Sequence, residues 1–167
     1  MNPRFFAVGM TALFVAASAS GLNTNIPGTG LPTAANYATG ILPERADVVS
    51  WKTLAQVESL KQGDRIVPGF SKEILGLDRT NVKVQGFMIP LDLGDKQKRF
   101  LISAVPPHCQ FCLPAGPDAI VEVEATTPVK YSFEPIVVAG KFSVVKDDPA
   151  GVLYRMSGAA QVDAAPR

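Results

Sequence analysis

From Val82 onward the chain alternates apolar and polar residues in short runs broken by turn residues, and this two-residue period restricts the fold more than any other feature. Successive side chains of a strand point to opposite faces, so such runs bury one face and wet the other. Val82, Val84 and Phe87-Met88-Ile89 form one expected strand, with Gly86 placed for a bend. Leu93-Gly94-Asp95-Lys96 reads as a hairpin turn, and Phe100 to Val105 as the returning strand. Ile120, Val121 and Val123 mark a third strand, Ile136 to Val145 a fourth with Gly140 inside it, and Val152 to Met156 a fifth. Asp147-Asp148-Pro149-Ala150-Gly151 is the turn between the last two. The pattern predicts a mainly β fold, a small OB-like five-stranded barrel, with a β-sandwich as the alternative. Phe87, Ile89, Ile102, Val121, Val123, Val138 and Val144 are its expected core.

Ahead of the strands, Trp51, Leu54, Val57 and Leu60 recur at three-residue steps. Asp47 or Ser50 can cap, and Gly63 can end, one amphipathic helix over about Val49 to Lys61, with Trp51 as its core anchor. That N-terminal helix is expected to close one end of the barrel.

The first residues point to export. Met1 to Arg4 carry one positive charge, Phe5 to Ala17 are mostly apolar, and Ala17-Ser18-Ala19 has the small-x-small form of a cleavage site. Residues 1–19 therefore read as a secretory signal peptide, which gives a periplasmic or secreted protein. No later run reaches the roughly 20 apolar residues of a membrane span. Residues 20–45 are rich in Gly, Pro, Thr, Asn and Ala, and read as a flexible linker. The barrel domain is expected over 46–162 and a short tail over 163–167.

The whole chain has sixteen basic and fifteen acidic residues. Cleavage after Ala19 removes Arg4 and no acid, so the remainder is formally neutral. Without a massed basic segment there is no electrostatic footprint for nucleic acid or anionic lipid. Hydrophobic residues make up 47% of the sequence, enough for a core that does not depend on cross-links.

Chemistry concentrates between the second and third strands. Pro106-Pro107-His108-Cys109-Gln110-Phe111-Cys112-Leu113-Pro114 holds both cysteines and the only histidine of the chain. Two thiolates and an imidazole are soft donors, which at this spacing suit zinc or Cu(I), with His108, Cys109 and Cys112 as the metal ligands. Asp118, Glu122 or Met88 could complete the shell. The same cysteines could instead form a structural disulfide, as paired cysteines do in oxidising compartments, leaving an interaction module with a periplasmic protein partner. A redox pair is the third reading, weakened by the lack of a parallel-sheet and helix setting. No catalytic residue set appears: a second histidine, a nucleophile elbow and a phosphate-binding glycine loop are all missing from the sequence. Glu122 and Glu124 alternate with Val121 and Val123 as a solvated strand face does.

Four stretches, with the cysteine loop between the second and the third, carry a family resemblance: Val84-Gln85-Gly86-Phe87-Met88-Ile89-Pro90-Leu91-Asp92, Phe100-Leu101-Ile102, Ile120-Val121-Glu122-Val123, and Val138-Ala139-Gly140. In these the chain resembles the exported bacterial proteins of the domain of unknown function 3299 family, over roughly Trp51 to Ala160. The resemblance implies an exported OB-like barrel of unestablished activity, with members often encoded near metal-uptake components. The commoner family loop has one cysteine, a histidine two positions on and a proline run, and this chain departs from it.

Overall fold

The structure, a computed structural model, describes residues 34–43, 45–107 and 115–162. The expected signal peptide, residues 20–33 of the expected linker and the tail lie outside the described residues. The alternating segments do form a closed barrel of five strands, so the sandwich alternative falls. Its strands are β3 (Asn81–Pro90), β4 (Lys96–Ser103), β5 (Ile120–Lys130), β6 (Ile136–Val144) and β7 (Tyr154–Val162). Around the barrel they run β3-β4-β5-β7-β6, and β6 returns to β3. All neighbours are antiparallel except β5 and β7, which are parallel.

Closure depends on a change of partner within β3. Asn81 to Gly86 pair with β6, whereas Phe87 to Pro90 pair with β4. Gly86 sits at the switch, and the reason is steric: a Cβ there would lie 2.5 Å from the Ser103 carbonyl oxygen and 2.6 Å from Ile102 Cγ2. β5 extends well beyond its apolar stretch to Lys130. It accommodates Pro128 because residues 125–128 stand opposite Lys98 alone, so no regular ladder bond is lost there.

The barrel is filled by Val84, Met88, Phe100, Ile102, Val121, Val123, Val138, Phe142, Tyr154 and Met156, all essentially inaccessible. Phe142 and Tyr154 stack with centroids 5.5 Å apart. Of the expected core, Ile89 and Val144 are only half-buried, since each lies near a strand end. The fifth strand starts at Tyr154 and runs to Val162, past the expected Met156.

Two corrections concern the N-terminal part. The expected helix over Val49 to Lys61 is a single turn, α2 (Trp51–Leu54), capped by Ser50 whose Oγ accepts from Lys52 N–H. Val57–Gln62 is instead strand β1, paired in antiparallel register with β2 (Arg65–Phe70) from Val57↔Phe70 to Gln62↔Arg65. Three-residue spacing was satisfied by one helical turn followed by a strand. Gly63, at φ 61°, does not end a helix but takes the first central position of the two-residue hairpin turn. The second correction falls in the segment expected to be a linker, where Ala34–Ile41 is a helix, α1. Ala34, Ala38 and Leu42, one helical turn apart, are buried in the core cluster. A short third helix, α3 (Lys72–Leu77), capped by Ser71 Oγ on Ile74 N–H, buries Ile74 completely.

The residues leading into α2 are tied to β3. Val49 N–H donates to the Lys83 carbonyl at 2.8 Å, and Trp51 Nε1 to the Gln85 carbonyl at 2.9 Å. Trp51 is buried, as its place on the apolar stripe predicts. Among the described residues no helix is long and apolar enough to cross a membrane.

Candidate functional site

His108, Cys109 and Cys112 lie outside the described residues. The stems on either side are described, and they are firmly held. β4 ends at Ser103, whose Oγ accepts from Val105 N–H at 3.2 Å and donates to the Val105 carbonyl at 2.8 Å. Ala104 N–H donates to the Ala119 carbonyl at 3.0 Å, and Ala119 N–H to the Gly116 carbonyl at 2.9 Å. Pro117 begins a 3-10 turn over Pro117–Ala119, where its missing N–H costs nothing. Ala104, Val105 and Ala119 are buried, so the loop leaves from a closed collar rather than a frayed hairpin end.

α2 packs against the 3-10 turn. Tyr154 fixes α2 from below: its hydroxyl donates to the Leu54 carbonyl at 2.6 Å. Burial pushes the Tyr154 phenol far above its ordinary value, and the negative charge of Asp118 adds to the effect. The phenol therefore stays protonated and remains a donor. Asp118 itself folds back on the loop stem, where a Cβ on Gly116 would lie 2.6 Å from its Oδ1.

The three residues named as possible further ligands have separate fates. Met88 is sealed inside the barrel on β3. Glu122 faces outward on β5 and is gripped from both sides: Arg99 Nη2 donates to Oε1 and Arg155 Nε to Oε2, each at 2.8 Å. Hydrogen bonds from Arg155 and then Arg99 hold its carboxyl below the usual carboxylate range. Arg155 also binds Asp148 at 2.6 Å. Glu122 is thus the centre of an ion-pair chain and not the simple solvated position that the alternation suggests, whereas Glu124 is exposed. Binding a metal through Glu122 would break two charge-assisted bonds. Asp118 alone of the three adjoins the loop. Among the described residues, no three His, Cys, Asp or Glu side chains come together in a way that could hold a metal ion.

Sequence reasoning missed both the Tyr154 latch and the Arg99–Glu122–Arg155–Asp148 chain. The only available signal was the placement of charged residues at outward positions of β4, β5 and β7, which does not reveal which strands are neighbours.

A closed five-stranded barrel in the order β3-β4-β5-β7-β6, with one parallel pair and a long connection between its second and third strands, defines this molecule as an OB-like barrel protein. The chain belongs to the family described as protein of unknown function (DUF3299), whose family model matches residues 44–162. It is similar to a solved structure, the crystal structure of a DUF3299 family protein from Pseudomonas aeruginosa PAO1 at 2.45 Å resolution. That match has 21% identity and a TM-score of 0.46, and covers 59% of this chain and 70% of the other. A search of curated proteins found no match.

Proposed function

We propose that this chain is an exported, non-enzymatic accessory protein that holds one zinc or Cu(I) ion through Cys109 and Cys112, with His108 as third donor. The observation that carries the reading is three soft donors within five consecutive positions, bracketed by prolines and set between two hydrogen-bonded stems. Pinned stems lower the ordering entropy that a ligand must offset. The activity at family level is unestablished, and the metal, the compartment and the absence of catalysis belong to this proposal. The signal-like N-terminus supports export to the periplasm or medium.

Thiolate and imidazole ligands must be deprotonated, so affinity falls as pH is lowered. Calorimetry and metal analysis on the fully reduced chain test the reading. One equivalent of metal is expected, with Cys109→Ser and Cys112→Ser each weakening binding more than His108→Ala. Absence of stoichiometric uptake, or variants that bind like the parent chain, would make a disulfide-stapled interaction module the better account.

A further inference from the structure

A second site lies on the outside of the barrel. Between α1, residues 45–50, α2 and β3 there is a cleft of about 480 Å³, within the size range of small-molecule sites. Its walls include Ala38, Leu42, Val49 and Trp51. Its floor holds Gln85, a polar residue only 7% exposed. The Gln85 backbone carbonyl is taken by Trp51, but its side-chain amide makes no hydrogen bond to any described residue. No described side-chain polar atom is both sealed from solvent and unpaired, so this amide opens on the cleft. With the rest of the residue covered, the amide presents its donors and its acceptor to the cleft alone.

The other polar side chains at the cleft narrow the choice of ligand. The Arg45 guanidinium is held by both Asp47 oxygens, at 2.9 and 2.8 Å, so its charge is already compensated. Ser50 Oγ is committed to the Lys52 N–H. Thr39 and Lys52, also on the lining, are engaged in interactions of their own. Among the described residues, what remains is a primary amide, with donors and an acceptor side by side, at the base of a largely apolar cleft. We propose that this cleft binds a small neutral ligand with an aliphatic body and an amide head, which pairs with the Gln85 amide through two hydrogen bonds. The site uses none of the donors of the cysteine loop.

The test has a built-in reporter. Trp51 is the only tryptophan, it lines the cleft, and its indole N–H is bonded to Gln85 itself. In a ¹H–¹⁵N titration of the purified chain, octanamide is expected to shift the indole signal saturably. Nonan-2-one, of the same shape but unable to donate, should bind about tenfold more weakly, and Gln85→Leu should cost octanamide a similar factor. Ala38→Leu, which fills the cleft from the α1 side, should abolish the response and decides the matter if Gln85→Leu does not fold. The proposal is overturned if octanamide gives no saturable shift, if the ketone binds as well as the amide, or if the folded variants bind like the parent chain.

Discussion

The two connections that leave β4 obey different rules. The β3–β4 turn, residues 91–95, is clamped from inside by Gln97, which is wholly buried. The Gln97 side chain accepts from Asp92 N–H at 3.0 Å and donates to the carbonyls of Asp92 and Gly94 at 3.0 and 2.8 Å. The turn's inward polar groups are consumed by the fold, and its side chains Leu91 and Leu93 point into solvent. Among the described residues, the β4–β5 connection is secured at its stems, by Ser103, Ala104 and Ala119. Ser103 and Ile120 stand in register across its base. A turn clamped by a buried amide cannot exchange its polar groups for metal donors, whereas the donors of the β4–β5 connection lie in sequence between stems whose hydrogen bonds do not involve them.

The sharpest way to break this contrast is at the clamp. Gln97→Ala leaves three backbone groups without their partner and opens a cavity, so a loss of about 2–4 kcal/mol in chemical denaturation is expected. A loss below about 1 kcal/mol would show that the turn does not need its clamp. A smaller effect is expected at the other end of the barrel. Tyr154→Phe removes the bond to the Leu54 carbonyl and should cost about 1–2 kcal/mol, while the barrel keeps its circular dichroism. An unchanged midpoint would mean that α2 is held in place by packing alone.

The smallest effect depends on pH. The carboxyl of Glu122 titrates lower in the folded chain than in the unfolded one, so its pairing with Arg155 and Arg99 stabilises the fold above the unfolded value, about 4.3. That contribution is lost as pH falls through the folded value. The parent chain should therefore lose more stability than Glu122→Gln between about pH 5 and pH 3. Parallel acid profiles for the two would remove Glu122 from the account.

The barrel was legible because each of its strands alternates and ends in turn residues, and Gly86 was recognisable as a bend before its crowding against Ser103 was known. The helix expected over Val49 to Lys61 failed because Trp51, Leu54, Val57 and Leu60 fit a helical stripe, while Gly63-Asp64 equally fits a hairpin turn. Pairing of Leu60 with Val67 and Lys61 with Ile66 settled the competition, and such pairing depends on tertiary context. α1 was hidden by its composition, since it docks through small residues such as Ala34 and Ala38. At the candidate metal loop, residue type alone was informative. Glu122 illustrates the opposite case, its partners Arg99 and Arg155 lying 23 and 33 residues away in sequence. Gln85 carried no signal of its own in the sequence, and it is buried where α1, residues 45–50 and Trp51 line the cleft above it.

The parallel pairing of β5 with β7 also sets an order of events during synthesis. β7 is inserted between β5 and β6, and it is the last of the described strands to leave the ribosome. Until residues 154–162 emerge, β5 and β6 each present an unpaired edge, of the kind to which other chains add strands. The nascent protein therefore passes through a stage with almost its entire apolar interior synthesised and its barrel still open. A stop codon shortly before Tyr154 would turn that passing stage into the final state, and aggregation rather than a smaller folded domain would be its fate.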